Sequence, residues 1–199
     1  MPSKVTASLL AAAMAAVAAA PALSAAEAQT VAPPASGPAS SAPATAEDLL
    51  PNARQPLPHL LTGGQPSSEQ LESLAAAGYR TVIDLRPEGE RGAPADEAEQ
   101  VAALGMRYVR IPIAGTGDLS EETARALDEV LDGEAVYPAV VHCASGNRVG
   151  ALLALRAARL EGAAPEAALE LGLDAGLTGL EPAVRDLLGL PAAPAEPEP

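Results

Sequence analysis

Cys143, Gly146 and Arg148 lie three and two residues apart in the run His142-Cys143-Ala144-Ser145-Gly146-Asn147-Arg148. Those residue types at that spacing suit a nucleophile set into an anion-binding turn. Backbone amides of the small-residue segment Ala144, Ser145, Gly146 and Asn147 can point inward as a nest, and the first amides of a following helix add the positive end of its dipole. Such surroundings, with a guanidinium at Arg148, favour a thiolate over a thiol, and the thiolate is the attacking species. Arg148 can grip two oxygens of a tetrahedral anion at once and hold the charge as it shifts during reaction. The ordinary alternative is a lone cysteine packed as a small hydrophobe at a strand end. The spacing argues against it.

The elements needed to hold that turn are legible on either side. Ala139 to His142 is a short β-branched run that reads as a buried strand, and Ala151 to Leu155 are strong helix formers, giving a helix that begins near Arg148 and ends near Glu161. Upstream, His59 to Thr62 and Thr81 to Leu85 read as strands. Between them Ser67 and Gln70 make a capping box for a helix that stops at Gly78. Asp96 to Leu104 is a second helix, Met106 to Ile113 a strand interrupted by Pro112, and Ser120 caps a third helix that ends at Gly133. Pro165 and Pro182 each mark a helical first turn. Strands alternating with helices predict an α/β domain with a mostly parallel central sheet and helices on both faces. Ligands of such sheets bind beyond the carboxyl ends of the strands, so the loops after Leu85, Ile113 and Val141 should converge. Arg86, ending a strand there, is a candidate second anion contact; its ordinary partner would be Asp84, Glu88 or Glu90.

The signature stretch resembles the loop of dual-specificity-type cysteine phosphatases, with two departures. One residue is missing between Gly146 and Arg148, giving C-x4-R, and the hydroxyl residue that usually follows the arginine is Val149. The shorter loop is more similar to the bacterial phosphatase-like domain associated with β-lactamase-hydrolase-like proteins and fused to some NAD kinases. Gln65-Pro66-Ser67-Ser68 through Thr81-Val82-Ile83-Asp84-Leu85-Arg86 resembles it too, so the likeness covers roughly residues 57–180. The resemblance implies a cysteine-phosphatase-like fold, Cys143 as nucleophile through a phosphocysteine intermediate, Arg148 and the loop amides as phosphate holders, Asp118 as general acid, and His142 as a residue orienting the loop. For Asp118 the alternative is an acid placed just before a helix start, and for His142 a satisfied core histidine. Val149 predicts slow breakdown of the intermediate, unless Ser145 or Asn147 contacts the thiolate instead. Rhodanese sulfurtransferases share the six-residue loop, so persulfide transfer on Cys143 is a second reading, and a non-catalytic oxyanion-binding module a third.

Composition sets the outer limits. The net charge is -14, and every basic residue except Lys4 is arginine. An acidic surface with no basic run repels polyanions, which excludes nucleic acid and leaves a phosphorylated small molecule or phosphoprotein as expected partner. With 3 tyrosines and neither Phe nor Trp, the core must be aliphatic. Residues 1–28 read as an export signal, with Lys4 ahead of an alanine-rich apolar centre and small residues at candidate cleavage sites, or as an uncleaved anchor. Either places the protein in the periplasm or outside the cell. Residues 29–56 read as an Ala/Pro/Ser linker, 57–190 as the folded domain and 191–199 as a tail. A single cysteine allows no internal disulfide and no resolving thiol. With two histidines and one cysteine, no metal-ligand spacing is present, and no metal or other cofactor is expected.

Overall fold

The computed structural model describes residues 45–193. The expected signal segment 1–28 lies outside the described residues, as do residues 29–44 of the expected linker and the end of the tail. Five strands form one sheet in the order β1-β2-β5-β3-β4: β1 Arg54–Leu57, β2 Leu60–Gly63, β3 Thr81–Asp84, β4 Arg107–Arg110 and β5 Ala139–His142. All neighbours are parallel except β1, which runs antiparallel to β2. Seven α-helices flank the sheet: α1 Ala46–Leu49, α2 Ser68–Ala76, α3 Glu97–Ala103, α4 Glu121–Leu131, α5 Asn147–Arg159, α6 Pro165–Asp174 and α7 Glu181–Leu188.

Side-chain alternation along the strands divides the core in two. Leu61, Val82 and Val140 face α1, α2 and α3 through Leu49, Leu71 and Val101. The next residues along, Leu60, Ile83 and Val141, face the α4–α7 layer through Leu127, Leu152, Leu169 and Val184. Residues of opposite parity meet opposite helix layers, as the two-residue period of a strand requires. Strands β2, β3 and β5 are buried at every position, the condition that makes a parallel strand read as an unbroken apolar run. The predicted capping box and cap form: Ser67 Oγ accepts from the Gln70 amide and Ser120 Oγ from the Thr123 amide, both at 3.2 Å.

One boundary is corrected. Residues 45–56, inside the stretch expected to be linker, are part of the fold, because Leu49, Leu50 and Ala53 are buried against the first helix layer and Arg54–Leu57 adds a strand to the sheet. Pro56 hid that strand, although an edge position tolerates a residue with no amide to donate. Nearer the site, a Cβ on Gly150 would sit 2.4 Å from the Gly172 oxygen. Only glycine lets α6 approach α5 so closely, and that approach brings the α6–α7 turn to the signature loop.

Candidate active site

β5 is the central strand, so the turn after His142 emerges at the middle of the sheet's carboxyl edge. Neighbouring strand ends hold its first residues: the Cys143 amide donates to the Gly63 oxygen (3.3 Å) and the Leu85 amide to the His142 oxygen (2.9 Å). Gly146 has φ 99 and caps α5, a left-handed conformation that glycine adopts without steric penalty. That bend turns its amide back onto the cysteine, where it donates to Cys143 Sγ at 3.1 Å. Cys143 is buried at the floor of the turn while Ala144 and Ser145 are exposed at its lip.

Arg148 is where the three predicted loops meet. Its guanidinium donates to the Ile113 oxygen at 2.8 Å and doubly to Glu90, at 2.6 and 2.8 Å. Those bonds to Glu90, and after them the neighbouring Cys143 sulfur, push the Arg148 pKa above the ordinary guanidinium value. The reciprocal effect on Glu90 is larger: the Arg148 hydrogen bond, assisted by Arg86, holds its carboxyl at about 2 against an ordinary 4.5. Arg86 braces the Glu90 carboxylate as well. Its buried guanidinium donates to Glu90, Gln65 and the oxygens of Arg91 and Gly92, which fixes the 87–92 loop. The ion-pair alternative holds, with Glu90 as the partner. Gln65 continues the chain inward by donating to Glu97 Oε1 at 2.8 Å.

His142 lies beneath the turn between two buried carboxylates. Its Nε2 is 3.1 Å from Glu97 Oε1 and its Nδ1 4.0 Å from Asp84 Oδ1. The shorter contact is not aligned as a hydrogen bond, so Glu97 Oε2 and both ring nitrogens lack a directed partner. Asp84, Glu97 and His142 bring one ligand atom each within 4.8 Å of one another. Sequence reasoning missed this cluster because its members come from β3, α3 and β5. The one signal was Asp84, a carboxylate in an apolar strand. A metal does not fit well, since Asp84 is already committed: Oδ1 accepts from the Arg86 amide, and Oδ2 from the Tyr108 hydroxyl and Arg110. Glu97 and His142 alone are fewer ligands than a zinc site takes from protein. Burial first, and the Asp84 carboxylate next, push the Tyr108 hydroxyl well above its usual range, keeping it a donor.

The remaining predicted residues are held by local and inter-loop hydrogen bonds. Asp118, exposed after a 3-10 turn, accepts from the Ala114 and Gly115 amides at 2.8 and 3.2 Å and so closes its own loop. Asn147 turns away from the sulfur: its Oδ1 accepts from the Thr178 and Leu180 amides at 2.8 and 3.2 Å. The Ala144 oxygen accepts from the Gln65 amide at 3.4 Å, and the Ser145 oxygen from the Asn52 side chain at 3.3 Å. Asn52, Gln65, Glu90 and Glu97 thus belong to the site's surroundings, each brought in by a segment distant in sequence.

Comparison with known proteins agrees with this geometry. Residues 43–170 match the family described as DSP-PTPase phosphatase fused to NAD+ kinase. β-Lactamase hydrolase-like proteins of Xylella fastidiosa (strain Temecula1) and Agrobacterium fabrum are each 36% identical over 99 residues, 48% of this chain but 22% of theirs. The match therefore spans under a quarter of those relatives. Among solved structures, a phosphatase-like protein of Shewanella putrefaciens CN-32 superposes with TM-score 0.56 at 27% identity, covering 69% of this chain and 87% of that one. One from Neisseria meningitidis Z2491 superposes with TM-score 0.57 at 20% identity, covering 68% and 97%. The second likeness concerns the fold alone.

Proposed function

Because the chain belongs to the family of DSP-PTPase phosphatases fused to NAD+ kinase, we propose that it is a cysteine-dependent phosphomonoester hydrolase. The observation that carries the reading is the Gly146 amide on Cys143 Sγ with Arg148 fixed beside it by Glu90 and the Ile113 oxygen. In this reaction the Cys143 thiolate attacks phosphorus and the bond to the leaving oxygen breaks. Arg148 and the loop amides hold the equatorial oxygens as charge redistributes, and Asp118 gives the leaving oxygen its proton. Water then attacks the phosphocysteine and gives a proton back to the Asp118 carboxylate, breaking the S–P bond, releasing inorganic phosphate and restoring the thiolate. The export signal read in residues 1–28 would place this chemistry beyond the cytoplasm. Substrates are phosphorylated small molecules or phosphoproteins.

The test is hydrolysis of an aryl phosphate by the reduced chain beside its Cys143→Ser variant. Turnover that disappears in the variant supports the proposal; no turnover above the variant, or turnover retained by it, overturns it. One observation favours the sulfur-transfer alternative: the Asp118 carboxylate is occupied by two backbone amides, and persulfide exchange needs no general acid. Thiosulfate-to-cyanide transfer by the same two proteins measures that reading directly.

A further inference from the structure

Beside the signature turn is a cavity of about 230 Å³ lined by Asn52, Arg54, Ser145, Gly176 and Thr178. Ser145 is shared: it belongs both to the lip over Cys143 and to the cavity wall. The other walls are tied to the same turn. Asn52 donates to the Ser145 oxygen, and the Thr178 amide donates to Asn147 Oδ1, the first residue of α5. The cavity is therefore held in fixed register with the cradle.

In a chain of net charge -14, no carboxylate lines this cavity. The Arg54 guanidinium donates to the Ala53 oxygen and, like Arg80, Arg91, Arg107 and Arg159, has no carboxylate partner among the described residues; of these five it is the one that lines a cavity beside the signature turn. Two hydroxyls and a carboxamide complete a donor-rich lining. None of the five residues is aromatic, so nothing there stacks on a phenyl ring.

We propose that this cavity is a second anion subsite. The substrate it implies is a small molecule carrying, besides the phosphate over Cys143, a further phosphate or carboxylate held by Arg54 with help from Asn52 and Thr178. The inference rests on the reading of Cys143 as the reacting centre, and it narrows the substrate class from phosphomonoesters in general to compact polyanions. A guanidinium on an oxyanion makes charge-assisted, bidentate hydrogen bonds that an amide cannot replace.

The experiment separates this proposal from the phosphatase reading by measuring binding as well as hydrolysis. Calorimetry on the full chain with Cys143→Ser compares a hexose bisphosphate with the hexose monophosphate, with and without Arg54→Gln. The expected result is tighter binding of the bisphosphate, and a ratio of the two affinities that falls roughly tenfold with Arg54→Gln. That outcome supports the subsite even if the parent chain hydrolyses neither compound. Equal affinities for the two compounds, or a ratio unmoved by Arg54→Gln, overturn it. Where the parent chain does turn over, the ratio of kcat/KM values should fall likewise, and an unmoved ratio again counts against the subsite.

Discussion

The signature turn has two flanks that treat charge in opposite ways. Toward β3 and α3, Arg148, Glu90, Arg86 and Gln65 form a continuous chain of hydrogen bonds leading to Glu97 beside His142, with Arg86 and Glu97 buried. Toward β1 and the α6–α7 turn, Asn52, Arg54, Ser145 and Thr178 are exposed, and no carboxylate pairs with them among the described residues. Groups that must stay put in low dielectric need partners, because an unpaired buried charge is costly. Groups meant to receive a ligand are useful only if their partners are water. The first flank holds the turn; the second is open to solvent.

Substitutions can break that contrast. The largest effect is expected from Glu90→Gln, which leaves two guanidiniums without their carboxylate and should destabilise the fold by about 2 kcal/mol, measured by denaturant unfolding at neutral pH. The effect also has a pH signature. The folded-state Glu90 carboxyl is held at about 2 against an ordinary 4.5, so its contribution is fully present above 4.5 and is lost as pH falls toward 2. The gap between the parent chain and Glu90→Gln should close across that window; a gap that stays constant would detach Glu90 from the stability of this flank. On the other flank, Arg54→Gln should move stability by no more than about 0.5 kcal/mol, although it is the variant expected to change ligand preference. A loss comparable to that of Glu90→Gln would erase the distinction. Smallest is Asn52→Ala, which removes one exposed hydrogen bond to Ser145 and should leave the unfolding midpoint within a degree or two of the parent.

How far the sequence revealed this arrangement follows the same division. The cysteine-bearing turn, its glycine bend and arginine, the strand before it and the alternation of strands with helices were legible because they depend on neighbours in the chain. The meeting of three loops at Arg148 was legible as well, since a parallel sheet leaves little choice of where its carboxyl ends point. What stayed hidden comes from distant segments. Glu90 was one of three carboxylates that could have paired with Arg86, and nothing in the spacing shows that it also clamps Arg148, 58 residues away. Gln65 and Glu97 are ordinary residues of a turn and a helix until β5 brings His142 between them. Asn52 and Arg54 lay in a proline-bearing stretch without periodicity, which reads as linker unless Leu49 and Leu50 are recognised as core.

The strand order has one further result. β1 and β4 are the outermost strands, each only four residues long, with Arg54 and Pro56 in one and Arg107 and Arg110 in the other. Short, cationic and proline-bearing borders repel an incoming strand from another copy of the chain, and so guard against edge-to-edge aggregation. Arg54 thereby serves solubility as well as recognition, and a substitution there that brought in a β-branched apolar side chain would invite self-association.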